Sequence, residues 1–368
     1  MTKSDAQLRD IVSKFRIMSP VESIAPLGSG LINDTFRVRT SDAATPDYVL
    51  QRINTAVFQD VETLQRNIEM VTNHLRSKMA RQSATDLDRR VLRLLPAHDG
   101  KTYHRDADGE CWRMTVFIAN TRTLDSVTPD LSECAGLAFG EFEAMLSDLP
   151  ETLGETIPNF HNMELRRDQL REAVRQDPRG RVAEVGDLLD ALERDMESMC
   201  LAERLHREGS LPKRACHCDT KINNMLFDEA GRVACVIDLD TVMPSFVFSD
   251  YGDFLRTAAN SVAEDSADFG NVGFRMDIFE AFTRGYLSST RGFLTPTERD
   301  MLPYAAALFP FMQCARFLTD YLNGDTYYKT EYAGHNLVRS RNQLLLYQDV
   351  RRHDEAMRQF IAQNSMGL

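Results

Sequence analysis

A polar run between two apolar stretches constrains this chain more than any other feature. It reads His217-Cys218-Asp219-Thr220-Lys221-Ile222-Asn223-Asn224 and lies in an island of β texture from Ala215 to Asp238. An apolar strand, Val233 to Ile237, follows and ends in Asp238-Leu239-Asp240. The pattern is H-x-D-x-K-x-x-N, then D-x-D about fourteen residues later. Singly, each residue suits a structural role: Asn223-Asn224 belongs in a turn, and Asp238 and Asp240 belong at a solvated strand end. The spacing taken jointly points to chemistry.

Phosphoryl transfer from a nucleotide needs a carboxylate to orient the attacking hydroxyl, oxygen donors to hold Mg2+ and a cation to meet the transferring charge. In kinase-type loops the base and the metal-holding Asn lie five residues apart, and a Lys often sits two after the base. Asp219, Asn224 and Lys221 reproduce both spacings. Asp238, with Asp240 beside it, stands where the second metal-holding carboxylate is required. Cys216-His217-Cys218 is not a zinc cluster, because consecutive strand residues alternate faces and cannot converge on one ion. His217 reads as a buried residue that fixes the loop.

The surrounding texture changes along the chain. A short amphipathic helix is predicted over 4–18, with Leu8, Ile11, Val12 and Phe15 on one stripe. Strand signals fill 21–53, a helix is predicted over 60–79, and strand signals return at 91–95 and 112–118. Beyond 130 the periodicity is helical at 131–147, 164–206, 275–289, 297–322 and 339–363. The expectation is an α+β chain with two lobes, β-rich over 1–120 and mainly helical over 121–368, with a linker near 118–130. Ligands favour the cleft of such a plan. Gly28-Ser29-Gly30, followed by Asn33, sits between two strand signals and reads as a phosphate-covering loop. Arg316 and Asp320, four apart on a predicted helix, share a face bordering the apolar Phe311, Ala315, Leu318 and Leu322. Asp250 and Asp253 are read as structural anchors of the 217–224 loop through backbone amides.

Composition narrows the partners. The 368 residues carry a formal charge of −12, which argues against nucleic acid and anionic membrane surfaces as partners but leaves room for a nucleotide. The seven cysteines form no C-x-x-C pair, as expected of reduced thiols in a cytoplasmic protein. The polar start and the short apolar run Pro303 to Met312 are not those of a secreted or membrane-spanning chain.

These residues resemble the aminoglycoside phosphotransferase and choline kinase superfamily, which shares the protein-kinase-like fold. Several stretches are similar, more closely, to N-acetylhexosamine 1-kinases: Gly30-Leu31-Ile32-Asn33, Tyr48 to Asn54, His217 to Asn224, Ile237 to Pro244, Asp250-Tyr251-Gly252-Asp253, Arg316 to Asp325 and His335 to Arg339. The resemblance implies an ATP- and Mg2+-dependent transfer to the anomeric hydroxyl of N-acetylglucosamine or N-acetylgalactosamine. It assigns Asp219 as base, Asn224 and Asp238 as metal ligands, Arg316 and Tyr327 as sugar contacts, and Asn33 to the neighbourhood of the phosphates or substrate. Asp240 joins the metal carboxylates, Asp320 the sugar site, and Lys221 is the cation for the γ-phosphate. Departures are visible. Gln51 occupies the strand position where kinases usually carry a lysine, next to Arg52, and Glu69 on the following helix either pairs with Arg52 or is solvated. Met312-Gln313-Cys314-Ala315 replaces the E-x-G-x usual before Arg316, and Leu31 and Cys218 stand where His and Asn are expected. Kinases of choline, homoserine or aminoglycosides, and a non-catalytic nucleotide-binding regulator, stay open as alternatives.

Overall fold

The structure, a computed structural model, describes residues 3–28 and 32–365. The chain divides into two compact units. The first comprises Met1–Thr123, Asp148–Pro158 and Met225–Met243; the second comprises Leu124–Ser147, Asn159–Asn224 and Pro244–Leu368.

The first unit is built on an antiparallel sheet. Helix α1 (Asp5–Val12) starts at a capping box between Ser4 and Gln7. It ends earlier than the predicted 4–18, because Phe15 forms a backbone bridge with Ala97. Strands β1 (Val21–Pro26), β2 (Asp34–Thr40) and β3 (Tyr48–Ile53) follow, then helix α2 (Val61–Arg81). Asp60 caps α2, and Leu64, Ile68, Val71 and Leu75 form its buried stripe as the periodicity predicts. The short helix α3 (Leu87–Arg90) leads to β4 (Leu94–Leu95), β5 (Tyr103–Arg105) and β6 (Cys111–Val116). The sheet order is β1-β2-β3-β6-β4, with β5 paired to β6. Leu8, Ile11, Val12 and Phe15 pack with Val38, Tyr48, Leu50, Met114 and Val116 in one core. Every residue of β6 is buried, Arg113 included. A separate hairpin, Met225–Phe227 with Val233–Val236, also belongs to this unit, and Phe227 bridges to Arg122.

The second unit is helical: α4 (Pro129–Leu146), α5 (Met163–Gln176), α6 (Gly186–Met199), α7 (Leu201–Arg207), α8 (Phe248–Ala258), α9 (Met276–Thr290), α10 (Pro296–Asp300), α11 (Leu302–Asn323), α12 (His335–Arg352) and α13 (Asp354–Ser365). The helical run predicted over 164–206 is broken after Gln176, where Asp177 turns left-handed ahead of Pro178. The run over 339–363 is likewise divided, at His353. Helix α8 was not predicted from the sequence; its polar residues Ser249, Asp250, Asp253 and Arg256 recur at helical spacing, but they are buried along with the apolar ones. Helices α4 and α9 approach closely through Gly136, Gly140 and Gly285. A Cβ on Gly285 would fall on the carbonyl oxygen of Glu133, and one on Gly136 on that of Phe282. Among the described residues no helix is long and apolar enough to cross a membrane.

Backbone cannot yield as a flexible side chain can. Gly285→Val is therefore expected to destabilise the protein by about 3 kcal/mol. Urea unfolding measures this, and an unchanged midpoint would refute the close α4–α9 contact.

Candidate functional site

In the second unit the loop 217–224 follows the short strand Arg214–Cys216 and is fastened from behind. Asp250, fully buried in the first turn of α8, accepts the backbone N–H of His217 at 2.8 Å and of Cys218 at 2.7 Å. Its own carbonyl oxygen accepts the Thr220 hydroxyl at 2.6 Å. Cys218 takes a left-handed backbone with φ 63°. Asn tolerates that conformation better than other side chains, which is a physical reason to expect Asn at this position. The His217 ring is buried near Phe139 and Phe142, with centroids 5.8 and 5.9 Å away. Glu143 adds to this support, accepting the Tyr286 hydroxyl at 2.5 Å. Burial, reinforced by the Asp250 charge, pushes the Glu143 carboxyl well above the usual range. Asp250 therefore anchors the loop as expected. Asp253 does not: it pairs with Arg256 at 2.9 Å instead.

The loop presents three of the predicted residues together. Lys221 Nζ lies 2.8 Å from Asp219 Oδ1, and Asn224 Nδ2 donates to Asp219 Oδ2 at 3.0 Å. The same Nδ2 also donates to the Asp219 carbonyl oxygen at 2.8 Å. Burial raises the Asp219 carboxyl, but Lys221, His217 and the Asn224 bond outweigh it and hold the group below the ordinary aspartate value. Burial lowers the Lys221 amine, yet Asp219 and then Asp253 carry it upward, so it stays an ammonium. Asn224 directs its amide donors at Asp219, which leaves the carbonyl Oδ1 as an oxygen donor for a hard cation.

Farther along this unit, Arg316 on α11 donates to Gln313 Oε1 at 3.1 Å. Its guanidinium sits 5.3 Å from the Phe160 ring and 5.6 Å from the Tyr328 ring. Asp320 makes no ion pair with Arg316. It is buried and accepts the backbone amides of Thr326, Tyr327 and Tyr328 at 2.8–2.9 Å, plus Asn336 Nδ2 at 2.8 Å. Asp320 thus shapes the turn that leaves Tyr327 65% exposed.

In the first unit the chain reaches Asp238 in a left-handed conformation, φ 59° and ψ 57°, ahead of a single turn over Leu239–Thr241. The Asp238 side chain is exposed, whereas Asp240 is only 3% exposed. Asp240 accepts Asn33 Nδ2 at 2.7 Å and forms an ion pair with Arg113, itself 3% exposed. Arg113 Nε donates to Gln51 Oε1 at 2.9 Å, and Gln51 Nε2 donates to the Thr35 hydroxyl at 3.3 Å. Asn33 Oδ1 accepts the Asn54 amide at 2.9 Å. Sheet register sets this up, because Gln51 is the direct partner of Thr35 on β2 and of Arg113 on β6. Asn33, Gln51 and Asp240 therefore lie on one buried network. Its centre, Arg113, escaped the sequence reading, although a lone charge in Cys-Trp-Arg-Met-Thr-Val was a signal. Arg52 pairs with Glu110 at 2.5 Å and with Asp34, and not with Glu69. Gly28 has φ 73°, a conformation that favours glycine. Gly30 and Leu31 lie outside the described residues.

Removing one member of a buried ion pair leaves the other uncompensated. Arg113→Met is expected to cost about 3–5 kcal/mol, with part regained in the Arg113→Met/Asp240→Asn double variant. Additive losses in denaturant titrations would refute the coupling.

The family pattern described as APH, phosphotransferase enzyme family, matches residues 23–288. Solved structures share the fold at low identity. An amicoumacin kinase in complex with AMP-PNP and Ca2+ superposes with TM-score 0.60 at 14% identity, covering 93% of each chain. Spectinomycin phosphotransferase with ADP gives 0.59 at 11% identity, covering 96% of this chain and 99% of the other. An aminoglycoside 2′-phosphotransferase in its GDP complex gives 0.57 at 16%, covering 96% and 100%. The α+β, protein-kinase-like class expected from the sequence is the class these superpositions show.

Proposed function

The chain belongs to the phosphotransferase enzyme family, and from that premise we propose that it transfers the γ-phosphate of ATP to the anomeric hydroxyl of an N-acetylhexosamine, giving the sugar 1-phosphate and ADP. One observation carries the reading: an ionised Asp219 braced by Lys221 and Asn224 on a loop pinned by Asp250.

In this reading Asp219 orients the C1 hydroxyl and accepts its proton as the bond from that oxygen to the γ-phosphorus forms and the bond to the β-phosphate oxygen breaks. Lys221 meets the charge on the transferring group. Asn224 and Asp238 are hard oxygen donors of the class Mg2+ prefers, and bound Mg2+ supplies neutralisation of phosphate charge. Asp240, engaged by Arg113 and Asn33, sets the turn that presents Asp238. By their sequence Gly28 and Gly30 are assigned to the phosphates, and Asn33 and Gln51 belong to the network of Asp240 and Arg113. Arg316 and Tyr327 contact the sugar, and Asp320 holds the turn that carries Tyr327. Arg316 lies over two rings and, among the described residues, forms no ion pair, which suits a polyhydroxylated acceptor better than a polycationic antibiotic.

Phosphorus NMR of the protein with ATP, Mg2+ and N-acetylglucosamine or N-acetylgalactosamine is expected to show a sugar 1-phosphate. Asp219→Asn should lower kcat by at least a hundredfold with ATP affinity nearly unchanged; near-normal turnover would refute the base assignment. The pH profile gives a second check. A base must be ionised, so activity is lost as pH falls through the Asp219 pKa. Lys221 holds that pKa down against burial, so Lys221→Met should move the acid limb of kcat/KM to higher pH, and an unmoved limb would contradict the pairing.

A further inference from the structure

A second arginine stands beside Arg316, and the proposed chemistry leaves it unused. Arg166, near the start of α5, donates through Nη2 to the carbonyl oxygens of Phe160 at 2.6 Å and Asn159 at 3.2 Å, and through Nη1 to Gln169 Oε1 at 2.9 Å. Its Nε is buried with no acceptor. The Arg316 guanidinium lies 5.3 Å from the ring of that same Phe160. One residue thus holds both cations, one by its carbonyl and one by its ring. Tyr328 borders Arg316 on another side, and its hydroxyl accepts Gln313 Nε2 at 3.1 Å.

Charge in this neighbourhood is uncompensated. Among the described residues neither Arg166 nor Arg316 forms an ion pair, although the protein carries 55 acidic residues against 43 basic ones. The carboxylates in the region are committed elsewhere: Asp253 and Glu264 to Arg256, and Asp320 to backbone amides. Burial, and then the charge of Arg316, push the Arg166 guanidinium down to about 10. His161, which stacks on Phe160 at 4.3 Å, is driven well below its usual value by burial and by Arg316, Arg166 and Arg256. It therefore stays neutral and adds no third positive charge. Two like charges held together without an anion are unfavourable until one arrives, and the Arg316 guanidinium with the Arg166 N–H groups left uncommitted suits a carboxylate or phosphate.

We propose that the acceptor sugar carries an oxyanion away from its reacting hydroxyl, a carboxylate or a phosphate, which Arg166 and Arg316 bind jointly beside Phe160 and Tyr328. This rests on the sugar-kinase reading of the same site. It makes Arg166 a specificity-determining residue and disfavours cationic acceptors.

The test compares N-acetylglucosamine and N-acetylgalactosamine with their uronic acids and their 6-phosphates. Turnover is measured with ATP and Mg2+, and binding by calorimetry without ATP. The anionic forms are expected to show at least tenfold higher kcat/KM and tighter binding than the neutral parents. The uronic acid and 6-phosphate arms identify which oxyanion is preferred. Arg166→Gln should bring the anionic-to-neutral ratio close to one, whereas Arg166→Lys should retain part of it, which separates lost charge from lost folding. Turnover of neutral sugars with no anionic preference would overturn the proposal and leave the kinase reading standing. Selective binding of an anionic sugar without turnover of any sugar would uphold the anion site and overturn the kinase reading. Neither binding nor turnover would overturn both.

Discussion

The hold of Asp250 on the amides of His217 and Cys218 is the interaction on which the 217–224 loop depends. One buried carboxylate accepts two backbone N–H groups, and its own carbonyl accepts a third donor from Thr220. Burial pushes the Asp250 carboxyl above its ordinary value, and the charge-assisted hydrogen bonds from the two amides offset part of that cost. Asp250 also holds Cys218 in a left-handed conformation that would relax in a free loop. Asp219, the next residue, inherits its direction from that constraint. The side chains behind are packed to match: aromatic rings beside His217, and Glu143 on the Tyr286 hydroxyl.

The first unit solves a different problem with similar means. A chain that carries Gln51 where kinases usually place a strand lysine still buries a cation there, one strand over. Arg113 reaches Asp240 across the unit, and Gln51 helps to aim it. A buried ion pair of this kind is weak evidence for added stability, since desolvation offsets much of the attraction. Its value lies in specificity: Asp240 with both oxygens engaged leaves one arrangement for the turn that begins at Asp238.

The α11 segment shows how a short motif divides its labour. Arg316 and Asp320 share a helix face, as the spacing predicts, yet they do not pair. Asp320 turns to the amides of the following turn, and Arg316 to aromatic rings and to the neighbourhood of Arg166. The result is a cationic, ring-lined surface with an exposed tyrosine beside it. An antibiotic-modifying site for polycations would call for the opposite sign of charge.

Local sequence suffices for the antiparallel β segments, the stripe of α2, most of the long helices and the 217–224 constellation. Period, turn residues and residue spacing are local quantities, and they survive without tertiary information. Boundaries were lost where long-range contacts overrode local preference, as when Phe15 pairs with Ala97 and ends α1. Helix α8 has a polar stripe in its sequence, Ser249, Asp250, Asp253 and Arg256, but tertiary packing buries that stripe together with the apolar face. The partners of the charged residues are set by tertiary contacts: Arg113 with Asp240, Arg52 with Glu110 and Asp253 with Arg256, while among the described residues Arg166 and Arg316 meet no carboxylate. Which charges meet depends on residues far apart in the chain and on the water removed around them, and neither quantity is written in local sequence.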